Sequence, residues 1–95
     1  MKNVLITGAT GGIGSALIDS FYSNEFNLFL TGSNKEKLQS IKSKYTQNLE
    51  TCVCDLSKDK EIDELMKKAN EYFGSIDILI NNAGITKDNL FLRIN

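Results

Sequence analysis

The sequence has no proline and no histidine, and only two cysteines among its 95 residues. Without proline, low-complexity stretches or a linker, no internal domain boundary is expected, and residues 1–95 read as one unit. Cys52 and Cys54 have no histidine and no second cysteine cluster with which to build a metal site. They lie two apart in an apolar run, so in a strand they share a face at a separation poorly suited to a disulfide, and both are expected to be buried and reduced. Charge of one sign is also lacking: 11 basic residues are matched by 12 acidic ones, spread along the chain. That balance argues against nucleic acid and anionic membrane as partners. No apolar run approaches the roughly 18 residues of a membrane span, and Met1, Lys2 and Asn3 lead straight into a strand-like segment instead of a leader peptide. A cytoplasmic location is therefore the expectation. A chain of 95 residues, 41% of them hydrophobic, buries only about 60–65% of its unfolded surface, so its stability margin is thin.

What is present has a regular rhythm. Apolar runs at Val4-Leu5-Ile6, Leu28-Phe29-Leu30, Cys52-Val53-Cys54 and Ile78-Leu79-Ile80 recur about every 24 residues with helix-like segments between them. Continuous rather than alternating runs indicate parallel strands covered on both faces. The first helix is expected near Gly12, with Ile13, Ala16, Leu17, Ser20 and Phe21 as its inward stripe. The second carries a capping box in Ser33 and Glu36, followed by Leu38, Ile41 and Tyr45. The third runs from a cap at Ser57 to Phe73, with Ile62, Leu65, Met66, Ala69 and Phe73 inward and Gly74 as its stop. Right-handed crossovers then give an α/β fold: a three-layer, Rossmann-type doubly wound parallel sheet with strand order 3-2-1-4.

Between the first strand and the first helix stands TGATGGIG, residues 7–14. Unpaired N–H groups and the positive end of a helix dipole make such a turn an anion site, and glycine is needed where a side chain would block a pyrophosphate. Two spacings fit: Gly8, Gly12 and Gly14, or Gly8, Gly11 and Gly14. An ordinary tight turn would also use glycine. The acidic residue that would hold the ribose 2′-hydroxyl of NAD belongs near the end of the second strand, where Thr31-Gly32-Ser33-Asn34-Lys35 contains no carboxylate. That absence permits NADP, with Ser33, Asn34 or Lys35 able to bind its 2′-phosphate, although Ser33 also serves as a helix cap. NAD stays possible.

A second turn, Asn81-Asn82-Ala83-Gly84, follows the fourth strand and flanks the glycine loop across the switch point, although asparagine and glycine also make ordinary turns. With Thr7 to Gly14, Asp55-Leu56 and this turn in order, the chain resembles the short-chain dehydrogenase/reductase family in its single-domain branch. Residues 81–93, NNAGITKDNLFLR, are similar to bacterial 3-oxoacyl-[acyl-carrier-protein] reductases. The resemblance selects Gly8, Gly12 and Gly14 as the glycine set. It implies that Gly8, Ala9, Thr10, Gly11, Gly12 and Ile13 hold the pyrophosphate, that Ser33 lies near the adenosine ribose, that Asp55 and Leu56 contact adenine, and that Asn82, Ala83 and Gly84 line the nicotinamide-side ribose. Many NADP-using relatives have an arginine at the Gly11 position, so this chain lacks one charge partner for the phosphate.

The family's activity is hydride transfer between nicotinamide and a carbonyl carbon, with a serine, a tyrosine and a lysine four residues after it. Tyr22, Tyr45 and Tyr72 are followed at that distance by Phe26, Leu49 and Ile76, so no catalytic residue is assigned. The expectation is the nucleotide-binding part of an NADP(H)-dependent oxidoreductase of fatty-acid synthesis, acting on an acyl-carrier-protein thioester and forming a homotetramer, with the 95 residues an N-terminal fragment. Two other readings stay open, a stand-alone nucleotide-binding module without catalysis and a sugar-nucleotide epimerase-like relative. With the outer edge of the fourth strand (Ile76 to Ile80) and Leu90, Phe91, Leu92 and Ile94 uncovered, the isolated chain is expected to self-associate or fold marginally.

Overall fold

The computed structural model describes residues 1–82. Strands and helices alternate as β1 (Asn3–Thr7), α1 (Gly12–Ser23), β2 (Asn27–Gly32), α2 (Lys35–Lys44), β3 (Leu49–Val53), α3 (Asp59–Phe73) and β4 (Ile78–Asn81). The strands form one parallel sheet in the order β3-β2-β1-β4, as the sequence predicts. β1 is its axis, Val4 pairing with Leu28 on one side and Ile78 on the other. The first two crossovers step outward from β1 to β3, and the third returns to the opposite side of β1. Right-handed crossovers, the rule for parallel strands, place α3 on the face opposite α1 and α2 after that reversal, and the switch point opens between β1 and β4.

Strand residues alternate between the two faces. Val4, Ile6, Leu28, Leu30 and Leu49 pack with Ile18, Leu38 and Tyr45 under α1 and α2. Leu5, Phe29 and Cys52 pack with Ile62, Leu65, Met66 and Ala69 of α3. The inward stripes of α2 and α3 are those expected, and Gly74, at φ 85°, ends α3. β4 begins at Ile78, not Ile76, and its residues are half-buried instead of covered on both faces. It pairs only with β1 among the described residues.

Three local expectations are corrected. α1 is rotated from its predicted stripe: Leu17 and Phe21 do pack against the core, but Gly14 and Ile18 are its buried residues, while Ile13 is 70% exposed and Ala16 and Ser20 face outward. A Cβ on Gly14 would stand 2.6 Å from the Ala9 carbonyl oxygen, so the helix is centred on a residue with no side chain. α2 is capped by Asn34, whose side chain accepts the Lys37 N–H at 3.0 Å, and not by Ser33. β2 runs on through Gly32, which leaves Asn34 in the extended conformation a cap needs. α3 starts after Lys58 without a side-chain cap, because Ser57 instead gives its N–H (2.9 Å) and hydroxyl (2.6 Å) to Asp55 Oδ1.

At the amino end of the sheet, asparagines tie the strands together. The Asn3 N–H donates to Asp77 Oδ2 at 2.8 Å and its amide to the Ser75 carbonyl. Asn27 donates to Asn3 Oδ1, and Tyr72 donates to Asn27. No described helix is long and apolar enough to cross a membrane.

Candidate functional site

The carboxyl ends of β1, β2 and β3 surround a cleft of about 290 Å³ lined by Gly8, Thr10, Thr31, Gly32, Ser33, Cys54, Asp55 and Leu56. Each wall follows from strand pairing. The Ala9 N–H donates to the Thr31 carbonyl and the Cys54 N–H to the Gly32 carbonyl, both at 3.0 Å, so the chain leaving β1 and β3 is held against the end of β2. Gly8 turns at φ 62°, a conformation that favours glycine. A Cβ on Gly32 would lie 3.1 Å from the Thr10 methyl, so this floor is set by a small residue.

Of the residues singled out in the sequence, Gly8, Thr10, Ser33, Asp55 and Leu56 share the cleft. Gly11, Gly12 and Ile13 stand beside it at the start of α1. Ala9 and Gly14 are buried in the seam between loop and helix. Asn82 reaches across the switch point and donates its amide to the Gly8 carbonyl at 3.0 Å. Thr7 is fully buried and donates to Asn81 Oδ1 at 2.9 Å. Ala83 and Gly84 lie outside the described residues. Thr31, Gly32 and Cys54 line the cleft without having been predicted; their position at or just past the ends of the second and third apolar runs was the available signal.

The start of α1 has the electrostatics of an anion site. Its N-cap is Gly11, with no side-chain cap bond and no acidic residue in the first turn. The positive end of the helix therefore has no carboxylate from its own first turn to balance it. A Cβ on Gly12 would meet nothing within 4 Å. Packing does not require glycine there, and the open space fits a bulky anion lying against the backbone. Opposite, Asp55 is held below the usual carboxylate range by the Ser57 hydroxyl and then the Ser57 N–H, so it stays ionised at neutral pH. These residues fit a nicotinamide dinucleotide: glycines and a bare helix terminus for the pyrophosphate, an ionised acceptor for an adenine amine, and no carboxylate at Ser33 to oppose a 2′-phosphate.

Both thiols are buried and free. Burial pushes Cys54 up from 9.0 to about 11 and raises Cys52 as well. The folded state thus keeps protons that the unfolded chain releases above pH 9, so stability is complete below that pH and falls as pH rises towards 11. Burial, then the bond to Asp19, raises Tyr45 and adds to the decline from about pH 10. A melting-temperature series across this range should fall, and Cys54→Ala should flatten part of the slope; an unchanged slope in that variant would remove the thiol from the account.

The short chain dehydrogenase family profile matches residues 2–95. The 3-oxoacyl-[acyl-carrier-protein] reductase FabG of Rickettsia conorii is 41% identical over 93 residues, covering 98% of this chain and 37% of that protein. Nodulation protein G of a Rhizobium species is 37% identical over 93 residues, covering 98% of this chain and 38% of that protein. The crystal structure of a short-chain dehydrogenase/reductase, glucose/ribitol dehydrogenase, from Brucella melitensis superposes with a TM-score of 0.77 at 31% identity, over 82% of this chain and 34% of that one. The chain therefore spans 37–38% of the length of these two curated relatives. From its glycine loop to its sheet order, the chain belongs to the short-chain dehydrogenase/reductase family.

Proposed function

We propose that the chain is the nucleotide-binding part of an NADP(H)-dependent oxidoreductase that reduces a 3-oxoacyl thioester carried on acyl carrier protein. The observation that carries this reading is the convergence of an uncapped α1 terminus, an ionised Asp55 and a carboxylate-free end of β2 around one cleft. The similarity to the Rickettsia conorii reductase supports the substrate class. The nicotinamide supplies or accepts the hydride.

The chain's own residues bind and orient. Backbone N–H groups of Gly11, Gly12 and Ile13 hold the pyrophosphate, and Asp55 accepts from the adenine amine beside Leu56. Asn34 is committed to capping α2, so Ser33 and Lys35 are left to meet the 2′-phosphate. Asn82 fixes the Gly8 carbonyl and with it the turn under the cofactor. No tyrosine lines the cleft: Tyr45 donates to Asp19, Tyr72 donates to Asn27 at the far end of β2, and Tyr22 packs on Tyr45. The proton donor for the carbonyl oxygen is therefore not among these tyrosines.

Fluorescence titration of the protein with NADPH and NADH tests the reading. NADPH should bind at least threefold more tightly. Tighter NADH would overturn the NADP assignment, and no binding of either would overturn the dinucleotide site.

A further inference from the structure

Resting on the dinucleotide reading, we infer that Glu61 of α3 is a positioning residue that presents Asp55 to the adenosine end of the cofactor. Asp55 lies on the short link between β3 and α3, where one bond is internal, the Lys58 N–H donating to the Asp55 carbonyl at 3.0 Å, and the others come from outside the link. One comes from the sheet, the Cys54 N–H donating to the Gly32 carbonyl at 3.0 Å. The next comes from Glu61, whose Oε1 accepts the Asp55 N–H at 2.8 Å. Its other oxygen lies 3.8 Å from the Lys58 ammonium. Glu61 thus spans the link, joining its first turn-forming residue to the first turn of α3. The Asp55 carboxylate is then oriented from the other side, with Oδ1 accepting both the N–H and the hydroxyl of Ser57.

This arrangement separates two tasks. Ser57 fixes the rotation of the Asp55 side chain, and Glu61 holds the N–H side of the backbone from which that side chain projects, the Lys58 N–H holding its carbonyl. A bond between a charged acceptor and a backbone N–H is stronger than a neutral one, and Glu61 is half-exposed, so its replacement leaves no cavity. Loss of Glu61 should therefore disturb the cleft wall far more than the fold.

The test compares Glu61→Ala and Glu61→Gln with the unaltered protein, using AMP and NADPH as probes. Glu61→Ala is expected to weaken both by about fivefold and to speed hydrogen exchange at the Asp55 amide, with little change in melting temperature. Glu61→Gln, which keeps an oxygen able to accept the N–H, should stay within about twofold. A general structural role would instead lower the melting temperature and speed exchange throughout α3, not selectively at the Asp55 amide. Unchanged AMP binding in Glu61→Ala beside a binding unaltered protein would overturn the positioning role alone. Failure of the unaltered protein to bind either probe would overturn the nucleotide site as well. Amide exchange reads the link directly: an unchanged rate in Glu61→Ala counts against the role even if the variant is less stable.

Discussion

Gly14→Ala is expected to destabilise the chain by about 2–3 kcal/mol, while Gly12→Ala, the same chemical change two residues earlier, leaves stability almost untouched. The added methyl at residue 14 would stand 2.6 Å from the Ala9 carbonyl oxygen, 2.8 Å from its carbon and 2.9 Å from Ala9 Cα. All three are backbone atoms, which cannot swing aside as a side chain could. Either α1 lifts from the sheet or the turn after β1 distorts, and the Ile18 contacts beneath the helix loosen with it. The gain in helix propensity, up to about 1 kcal/mol, offsets only part of that cost. The melting temperature should drop by about 10 °C or more, from a small domain with little stability to lose. At residue 12 the methyl meets nothing within 4 Å. There the effect should fall on the ligand, with NADPH binding weakened at least about tenfold because the methyl occupies the space proposed for the pyrophosphate. A Gly14→Ala protein that melts like the unaltered one would refute the close approach. A Gly12→Ala protein that binds normally would move the phosphates elsewhere.

Ser33→Asp should reduce NADPH binding about thirtyfold and leave NADH binding equal or tighter. Two unit charges at about 4 Å repel by roughly 1 kcal/mol in water and about 4 kcal/mol near a protein surface, and each 1.4 kcal/mol is tenfold in affinity. The new carboxylate would oppose a 2′-phosphate and accept from a 2′-hydroxyl. Stability should not change, because Asn34 and not Ser33 caps α2. Equal loss of both dinucleotides would mean that Ser33 does not face the adenosine ribose.

The sheet order could be read from the sequence because four continuous apolar runs and one rule of handedness leave few alternatives. The glycine loop, Ser33, Asp55 and Asn82 were readable as motif positions: Gly8, Thr10, Ser33, Asp55 and Leu56 do meet around the cleft, and Asn82 donates to the Gly8 carbonyl. The rotation of α1 was not readable. Apolar patterning gives weight to Ile13 and Ala16, which are exposed, and none to Gly14, where backbone packs against backbone. The α2 cap was ambiguous because Ser33 and Asn34 are adjacent and both cap well; the choice depends on how far β2 extends. Ser57 was assigned to α3 because capping rules look forward along the chain, while its hydroxyl is taken by Asp55 behind it. Glu61 escaped notice because its partner is a main-chain N–H, which no residue pattern marks.

The clasp between Asn3 and Asp77 joins residues 74 apart. β1 leaves the ribosome well before β4, the neighbour on its second edge. At about 5–20 residues per second, roughly 4–15 s pass in which one flank of the central strand has no partner from its own chain. During synthesis the vulnerable surface is thus the middle of the finished sheet, and a nascent chain halted before residue 78 would expose the edge of β1 that β4 later covers.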